Sequence, residues 1–219
     1  ADYLETDPSE LLEGPKIGFK IPEVLTVEEI DRIISAVDMD KKEGQRNRAI
    51  LETLYSCGLR VSELCNLKLS DLYFEEGFIK VEGKGSKQRL VPISPRAIKE
   101  IKYWLTDRNL GKIKKGYEDY VFLARWGNNI SRIMVFHMIK ELAEKTGITK
   151  NISPHTFRHS FATHLLEGGA NLRAIQCMLG HESIATTEIY THIDRNMLRS
   201  EIIEHHPRNI KYRKERGIY

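Results

Sequence analysis

Residues 153–166 read S-P-H-T-F-R-H-S-F-A-T-H-L-L. Pro154 suits the first turn of a helix, where its missing N–H costs nothing. Phe157, Phe161 and Leu165 recur at spacing four, so one stripe of that helix belongs to a core. His155 and Arg158 are three apart and share a face of the same helix. One element therefore carries packing on one side and cationic chemistry on another.

Outward from this stretch the chain is helical with short breaks. From Ser131 onward the periodicity predicts helices over about 131–146, 155–167, 171–179, 183–189 and 194–204. Gly147, Gly168 and Gly169 stand at C-cap positions, Asn171 and Ser183 at N-caps. Upstream, Thr26-Val27-Glu28-Glu29 has capping-box spacing ahead of Ile30, Ile33, Ile34 and Val37. A second helix runs from Gln45 to Cys57, with Gly58 as its left-handed cap, and Leu59–Leu64 opens a short third one. Between them and the helical half the period changes to two. Ile79 and Val81 alternate with Lys80 and Glu82, Gly83-Lys84-Gly85-Ser86 turns, and Arg89-Leu90-Val91 returns. That is a β-hairpin with a basic tip. Pro92 and Ser94-Pro95 end it and start a helix carrying Ile98, Ile101, Trp104 and Leu105, and Tyr120–Leu123 reads as a further strand. The fold class expected is mainly α with a small antiparallel β-sheet (α+β), without internal repeats.

The 219 residues suffice for one or two domains with a sizeable core. With 34 Lys+Arg against 31 Asp+Glu the net charge is +3, which excludes neither nucleic acid nor an acidic substrate. Apolar content of 41% with 30% charged residues is that of an ordinary globular chain, not a disordered one. No apolar run approaches the roughly 18–20 residues of a membrane span, and no signal-peptide pattern opens the chain. Cys57, Cys65 and Cys177 are odd in number and lack C-x-x-C spacing, which argues against disulfide scaffolds and zinc ribbons and for a reducing, cytoplasmic setting. Residues 1–22, with Pro8, Pro15, Pro22, Gly14 and Gly18, read as a linker, and the absence of an opening Met suggests a preceding domain. The folded domain is expected over 23–206, with 207–219 as a basic C-terminal tail.

The residues able to carry chemistry are Arg60 after the glycine cap, Lys84 at the hairpin tip, His155 and Arg158, His181 after Gly180, and Tyr190 nine residues on. Two arginines, two histidines, a lysine and a tyrosine, with no carboxylate pair and no Ser or Cys triad, suit a phosphate that gains charge in a transition state. A tyrosine supplies an oxygen nucleophile. Taken singly, each residue has a plainer explanation: Tyr190 as an amphipathic surface residue, His155 as a helix-start residue, and Lys80, Lys84, Lys87 and Arg89 as a solvated hairpin face. His155, His159 and His164 stand near helical spacing, but no H-E-x-x-H is present, so His159 and His164 are read as structural and no metal is expected.

Together, G-L-R-V-S-E-L (58–64), G-K-G-S-K-Q-R (83–89), residues 153–166, L-G-H (179–181) and T-T-E-I-Y-T-H (186–192) resemble the catalytic domain of a tyrosine recombinase, the phage integrase family, and most closely its bacterial Xer branch. The resemblance covers roughly residues 22–208 with the motifs in family order. It implies that Tyr190 attacks a scissile DNA phosphate, leaving a 3′-phosphotyrosyl link and a free 5′-hydroxyl. Arg60 and Arg158 would clamp the non-bridging oxygens, Lys84 would protonate the departing 5′-oxygen, and His155 and His181 would share proton handling. Such help is needed, since a phenol of pKa about 10 is roughly one-thousandth ionised at pH 7. Glu63, one turn from Arg60, is expected to orient that guanidinium, and Lys87 and Arg89 to touch DNA. No cofactor is implied.

The partners implied are a double-stranded DNA recombination site, a tetrameric synaptic complex with itself or a sister recombinase, and a septal DNA translocase, with no membrane. The last helix, Asp194–His205, would dock on a neighbouring protomer through Met197, Leu198, Ile202 and Ile203. Chromosome dimer resolution in a cytoplasmic, nucleoid-associated setting is the role of that branch. The alternatives are a mobile-element integrase, a topoisomerase IB-like relaxing enzyme, and a DNA-binding module that has lost cleavage.

Overall fold

Thr26 opens the first helix as its spacing predicts: its hydroxyl accepts the Glu29 N–H at 3.1 Å, and α1 runs Val27–Ser35. The computed structural model describes residues 23–180 and 195–218. The expected linker over 1–22, the expected helix at 183–189, and His181, Tyr190 and His192 lie outside the described residues. Then follow α2 (Gly44–Cys57), α3 (Val61–Cys65), β1 (Leu72–Tyr73), β2 (Phe78–Glu82), β3 (Gln88–Pro92), α4 (Pro95–Leu110), α5 (Arg132–Thr146), α6 (Pro154–Glu167), α7 (Leu172–Leu179), α8 (Arg195–His205) and α9 (Pro207–Glu215).

The centre is α2. Its residues from Ala49 to Cys57 are all buried, because α4 covers one side and α6 another. Ile50, Leu51, Leu54 and Tyr55 there meet Phe157, Phe161 and Leu165 of α6 in one apolar core. Each such side chain contributes about 1.5–3 kcal/mol on burial. Gly58 ends α2 at φ +65°, where a Cβ would strike the Phe161 ring at 2.4 Å. A side chain here would be strained and would have no room.

The antiparallel sheet has the order β1-β2-β3, with Val81 opposite Arg89 and Ile79 opposite Val91. β1 is two residues long, too short to leave a period in the sequence. The strand expected at Tyr120–Leu123 is not formed among the described residues; the segment makes only isolated bridges, Lys68 with Tyr120 and Leu123 with Asn129. Ile130 N–H takes the Phe122 carbonyl, and helix side chains take the others nearby. Arg108 donates to Glu118 and Tyr120, Trp104 to Val121 and Arg46 to Leu123.

The expected basic tail over 207–219 is in large part a helix, α9, packed beside α8 and α4. Arg208, which reads as a tail cation, is buried and pairs with Asp31 and with Glu52 at 3.0 Å. Glu52, buried in α2, also meets Arg96 at 3.2 Å, and burial still holds its carboxyl above the ordinary value against both cations. The stripe expected to seek a neighbour also has an internal place: Leu198 and Ile202 of α8 are buried in this chain, where α8 packs on α7 and β3. No described helix is long and apolar enough to cross a membrane.

His206 is wholly buried between α8 and α9, and burial, aided by the nearby His164 and Arg208 charges, pushes its pKa down to about 3. Its folded pKa lies below the unfolded value of about 6.5, so its contribution is complete above that pH and is lost as pH falls towards 3. Stability should therefore drop by about 1.4 kcal/mol per pH unit in this window from His206 alone. Urea unfolding of His206→Gln from pH 6.5 to 4 should show a pH slope flatter by that amount.

Candidate active site

Three arginines meet one carboxylate. Glu63, in α3, is 4% exposed and accepts from both terminal nitrogens of Arg89, at 3.0 Å from Nη2 to Oε1 and by a short bond from Nη1 to Oε2. Its Oε1 also accepts the Arg60 backbone N–H at 2.8 Å, which closes the first turn of α3. The Arg60 guanidinium stands 3.9 Å from Oε2, and that of Arg158 stands 4.0 Å from Oε1. Burial alone would raise the Glu63 carboxyl. The bonds and charge of Arg89, the Arg60 N–H and the charge of Arg158 outweigh it and hold the group below its ordinary value.

Arg158 comes from the second turn of α6 and is 1% exposed. Its Nη1 donates to the Gly58 carbonyl and its Nη2 to the Leu179 carbonyl, each at 2.7 Å. These carbonyls stand at the C-terminal ends of α2 and α7, where a helix leaves acceptors without internal donors and carries partial negative charge. Arg89 uses the same device through Nε to the Met178 carbonyl, at 2.9 Å. Gly180 caps α7 at φ +73°, and a Cβ there would lie 3.1 Å from the Arg89 guanidinium.

Arg60 differs from the other two in being open to solvent, its side chain 30% exposed. Three guanidinium charges against one carboxylate leave a net +2, and Arg60 is the most solvent-exposed of the three. His155 is exposed one helical turn before Arg158. Lys84 is exposed in a single 3-10 turn, Lys84–Ser86, at the hairpin tip. Gly83 before it passes over the acid–arginine pair, since a Cβ there would sit 3.4 Å from Arg89 Nη1 and 3.5 Å from Glu63 Oε2. Gly85 after it has φ +71°, with nothing within 4 Å of a Cβ. The long lysine side chain is thus based at the rim of the cluster with open space around its turn.

The structure brings Arg60, Glu63 and Arg158 together and sets Lys84 and His155 at their edge. Lys87 is exposed beside the tip. Arg89 departs from the expected DNA contact. It is 8% exposed with its guanidinium bonded to Glu63 and Met178, so it builds the site from behind. The strand period could have shown this, because Arg89 and Val91 share the inward face of β3. Glu63 likewise does more than orient Arg60. The main-chain acceptors of Gly58, Met178 and Leu179 leave no side-chain signal. His159 and His164 are both buried in α6, and His164 Nδ1 lies 2.7 Å from the Tyr55 hydroxyl. Among the described residues no group of three or more His, Cys, Asp or Glu side chains could hold a metal ion.

The phage integrase family model matches residues 23–197. Tyrosine recombinase XerD of Staphylococcus saprophyticus is 44% identical over 206 residues, covering 94% of this chain and 70% of the relative. XerD of Staphylococcus aureus is 42% identical over the same shares. Among solved structures, the XerA recombinase superposes with a TM-score of 0.67 at 36% identity, covering 85% of this chain and 66% of that one. The XerH site-specific recombinase bound to its difH substrate before cleavage gives 0.66 at 30% identity, over 78% of this chain and 50% of that one.

Removing Arg89 strands Glu63 in the interior. Arg89→Ala should lower unfolding free energy in urea by about 3 kcal/mol, and Arg89→Lys should recover less than half of it, lacking the two-pronged donor. Lys84→Ala should leave stability unchanged.

Proposed function

The chain belongs to the phage integrase family, in its Xer-type tyrosine recombinase branch, and from that premise we propose that it cleaves and rejoins DNA at a specific site through a phosphotyrosyl intermediate. The observation that supports this best is the net-positive cluster of Arg60, Arg89 and Arg158 around Glu63, with Lys84 and His155 at its rim. It is a preorganised anion site. Its donors are fixed before DNA arrives, so little reorganisation is left for the transition state.

In this reading Arg60 and Arg158 hold the non-bridging oxygens of the scissile phosphate. The Tyr190 hydroxyl oxygen forms a bond to phosphorus while the bond from phosphorus to the 5′-oxygen breaks. The phenolic proton passes to the histidine pair, His155 and His181, and Lys84 gives a proton to the leaving 5′-oxygen. The product is a 3′-phosphotyrosyl link and a 5′-hydroxyl, and rejoining reverses each step. The link conserves the phosphodiester bond energy, so no nucleotide cofactor is needed. Glu63 and Arg89 set the positions of the other groups without touching DNA.

In this reading residues 1–22 would be the linker from a core-binding domain, and 23–206 with α9 the catalytic unit. XerH is captured on its recombination-site DNA, and a duplex recombination site is the partner proposed here. A tetramer on two such sites, with itself or a sister recombinase, would perform the exchange, with chromosome dimer resolution as the role and a septal translocase as regulator. The setting would be the cytoplasm, at the nucleoid.

A suicide duplex, nicked beside a candidate Xer site, tests the chemistry. The wild-type chain should trap a covalent protein–DNA adduct on a denaturing gel, and Tyr190→Phe should trap none while binding DNA about as tightly. Absence of any adduct, including from a chain extended through its preceding domain, would leave only a DNA-binding module. Recombinant junctions between two sites separate a recombinase from a relaxing enzyme, which makes none. Phosphate contacts also predict steep salt dependence, and Lys87→Ala should reduce the slope of log affinity against log salt by about 1 without affecting stability.

A further inference from the structure

His206 links the C-terminal helix to the anion site. Its ring is wholly buried, with Nε2 3.1 Å from the Tyr55 carbonyl and Nδ1 3.1 Å from the Arg208 N–H. The Arg208 N–H can only donate, so Nδ1 is the acceptor and Nε2 carries the hydrogen given to Tyr55. The imidazole meets the Tyr55 ring at 4.7 Å and the Phe161 ring at 5.8 Å. Phe161 in turn lies against Gly58, where a Cβ would approach its ring to 2.4 Å. The Gly58 carbonyl is one of the two that hold Arg158, at 2.7 Å.

The connection is short on both sides. Tyr55 and Gly58 are three apart at the end of α2, and Arg158 and Phe161 are three apart on α6. Tyr55 belongs to the last turn of α2, whose carbonyls have no donors further along the helix. Docking of α9 has its own clamp in the ion pairs of Arg208 with Asp31 and Glu52 and of Lys211 with Asp31. An apolar side chain at position 206 would fill the same space. What the imidazole adds is a hydrogen bond to the last turn of α2.

We propose that His206 is a positioning residue for Arg158: by its hydrogen bond to the end of α2 it fixes the Gly58 carbonyl that orients the guanidinium. The C-terminal helix is then part of the anion site at one remove. A recombinase chain with α9 undocked would hold the Gly58 side of Arg158 less firmly than the Leu179 side. The catalytic consequence rests on the phosphate role proposed for Arg158, whereas the structural link does not.

The test reads Arg158 directly. In protein labelled with ¹⁵N-arginine, the guanidinium N–H signals of Arg158 are assigned by their loss in Arg158→Lys. In His206→Ala they should shift and exchange with solvent about tenfold faster, the scale set by one lost hydrogen bond. His206→Gln, whose amide can donate to Tyr55, should restore slow exchange. His206→Phe fills the site without a donor and serves if the alanine variant does not fold; it too should loosen Arg158. Unchanged Arg158 signals in a folded His206→Ala or His206→Phe would overturn the proposal, even with a lower melting temperature. On the suicide duplex at saturating DNA, His206→Ala and His206→Phe should cleave about tenfold more slowly with DNA affinity unchanged, and His206→Gln should not. Failure of the wild-type chain to form any adduct would count against the proposed function, and the arginine signals would still decide this link.

Discussion

A single buried carboxylate, Glu63, is the point on which the cationic site turns. Bringing arginines together against their own repulsion, out of water, is costly unless an acid sits among them. Glu63 does this with geometry as well as charge. One oxygen closes the start of α3 by taking the Arg60 N–H, and both receive the fork of Arg89 from β3. A five-residue helix has no stability of its own. α3 exists because this bond and the core beneath it hold its ends, and Arg60 is exposed at the correct place as a result. The sheet, the short helix and α6 are thereby tied to one point without any of them supplying the whole site.

The second organising element is α2. Its outer end receives the C-terminal helix through Glu52 and Tyr55, and the carbonyl that caps it receives Arg158. A central helix buried on several sides is stiff, because every side chain it could shift is wedged against another. Such a rod suits a site that must hold a phosphodiester while bonds to it are exchanged. Lys84, by contrast, stands exposed on a single turn at the rim and not on this rod.

Legibility in the sequence follows the range of the interaction. Helix starts at Thr26, Ser94 and Asn171, and left-handed ends at Gly58 and Gly147, were readable because caps are local chemistry between residues a few positions apart. The motifs around Arg60, Lys84, His155 and Arg158 were readable for the same reason, each being a short string. What was not readable depended on partners far along the chain. Arg89 looks like a solvated hairpin cation until the inward face of β3 is known to end on Glu63, 26 residues earlier. Arg208 looks like a tail cation until it meets Glu52, 156 residues away. The segment at Tyr120–Leu123 has strand composition, yet the carbonyls of Tyr120, Val121 and Leu123 are claimed by side chains of α2 and α4, and no ladder beyond isolated bridges forms.

Besides Glu63, two arginines of this site are anchored on main-chain oxygens: Gly58 and Leu179 for Arg158, Met178 for Arg89. Every amino acid brings the same carbonyl, so no replacement at Met178 or Leu179 can delete the anchor by changing its chemistry. Sensitivity to genetic change is displaced onto the backbone shape that aims those oxygens, and so onto Gly58 and Gly180, with φ of +65° and +73°. A catalogue of tolerated substitutions would then look inverted. Met178 and Leu179, whose carbonyls hold two of the arginines, would vary freely within the limits of packing, while two glycines that carry no functional group would be closed to drift.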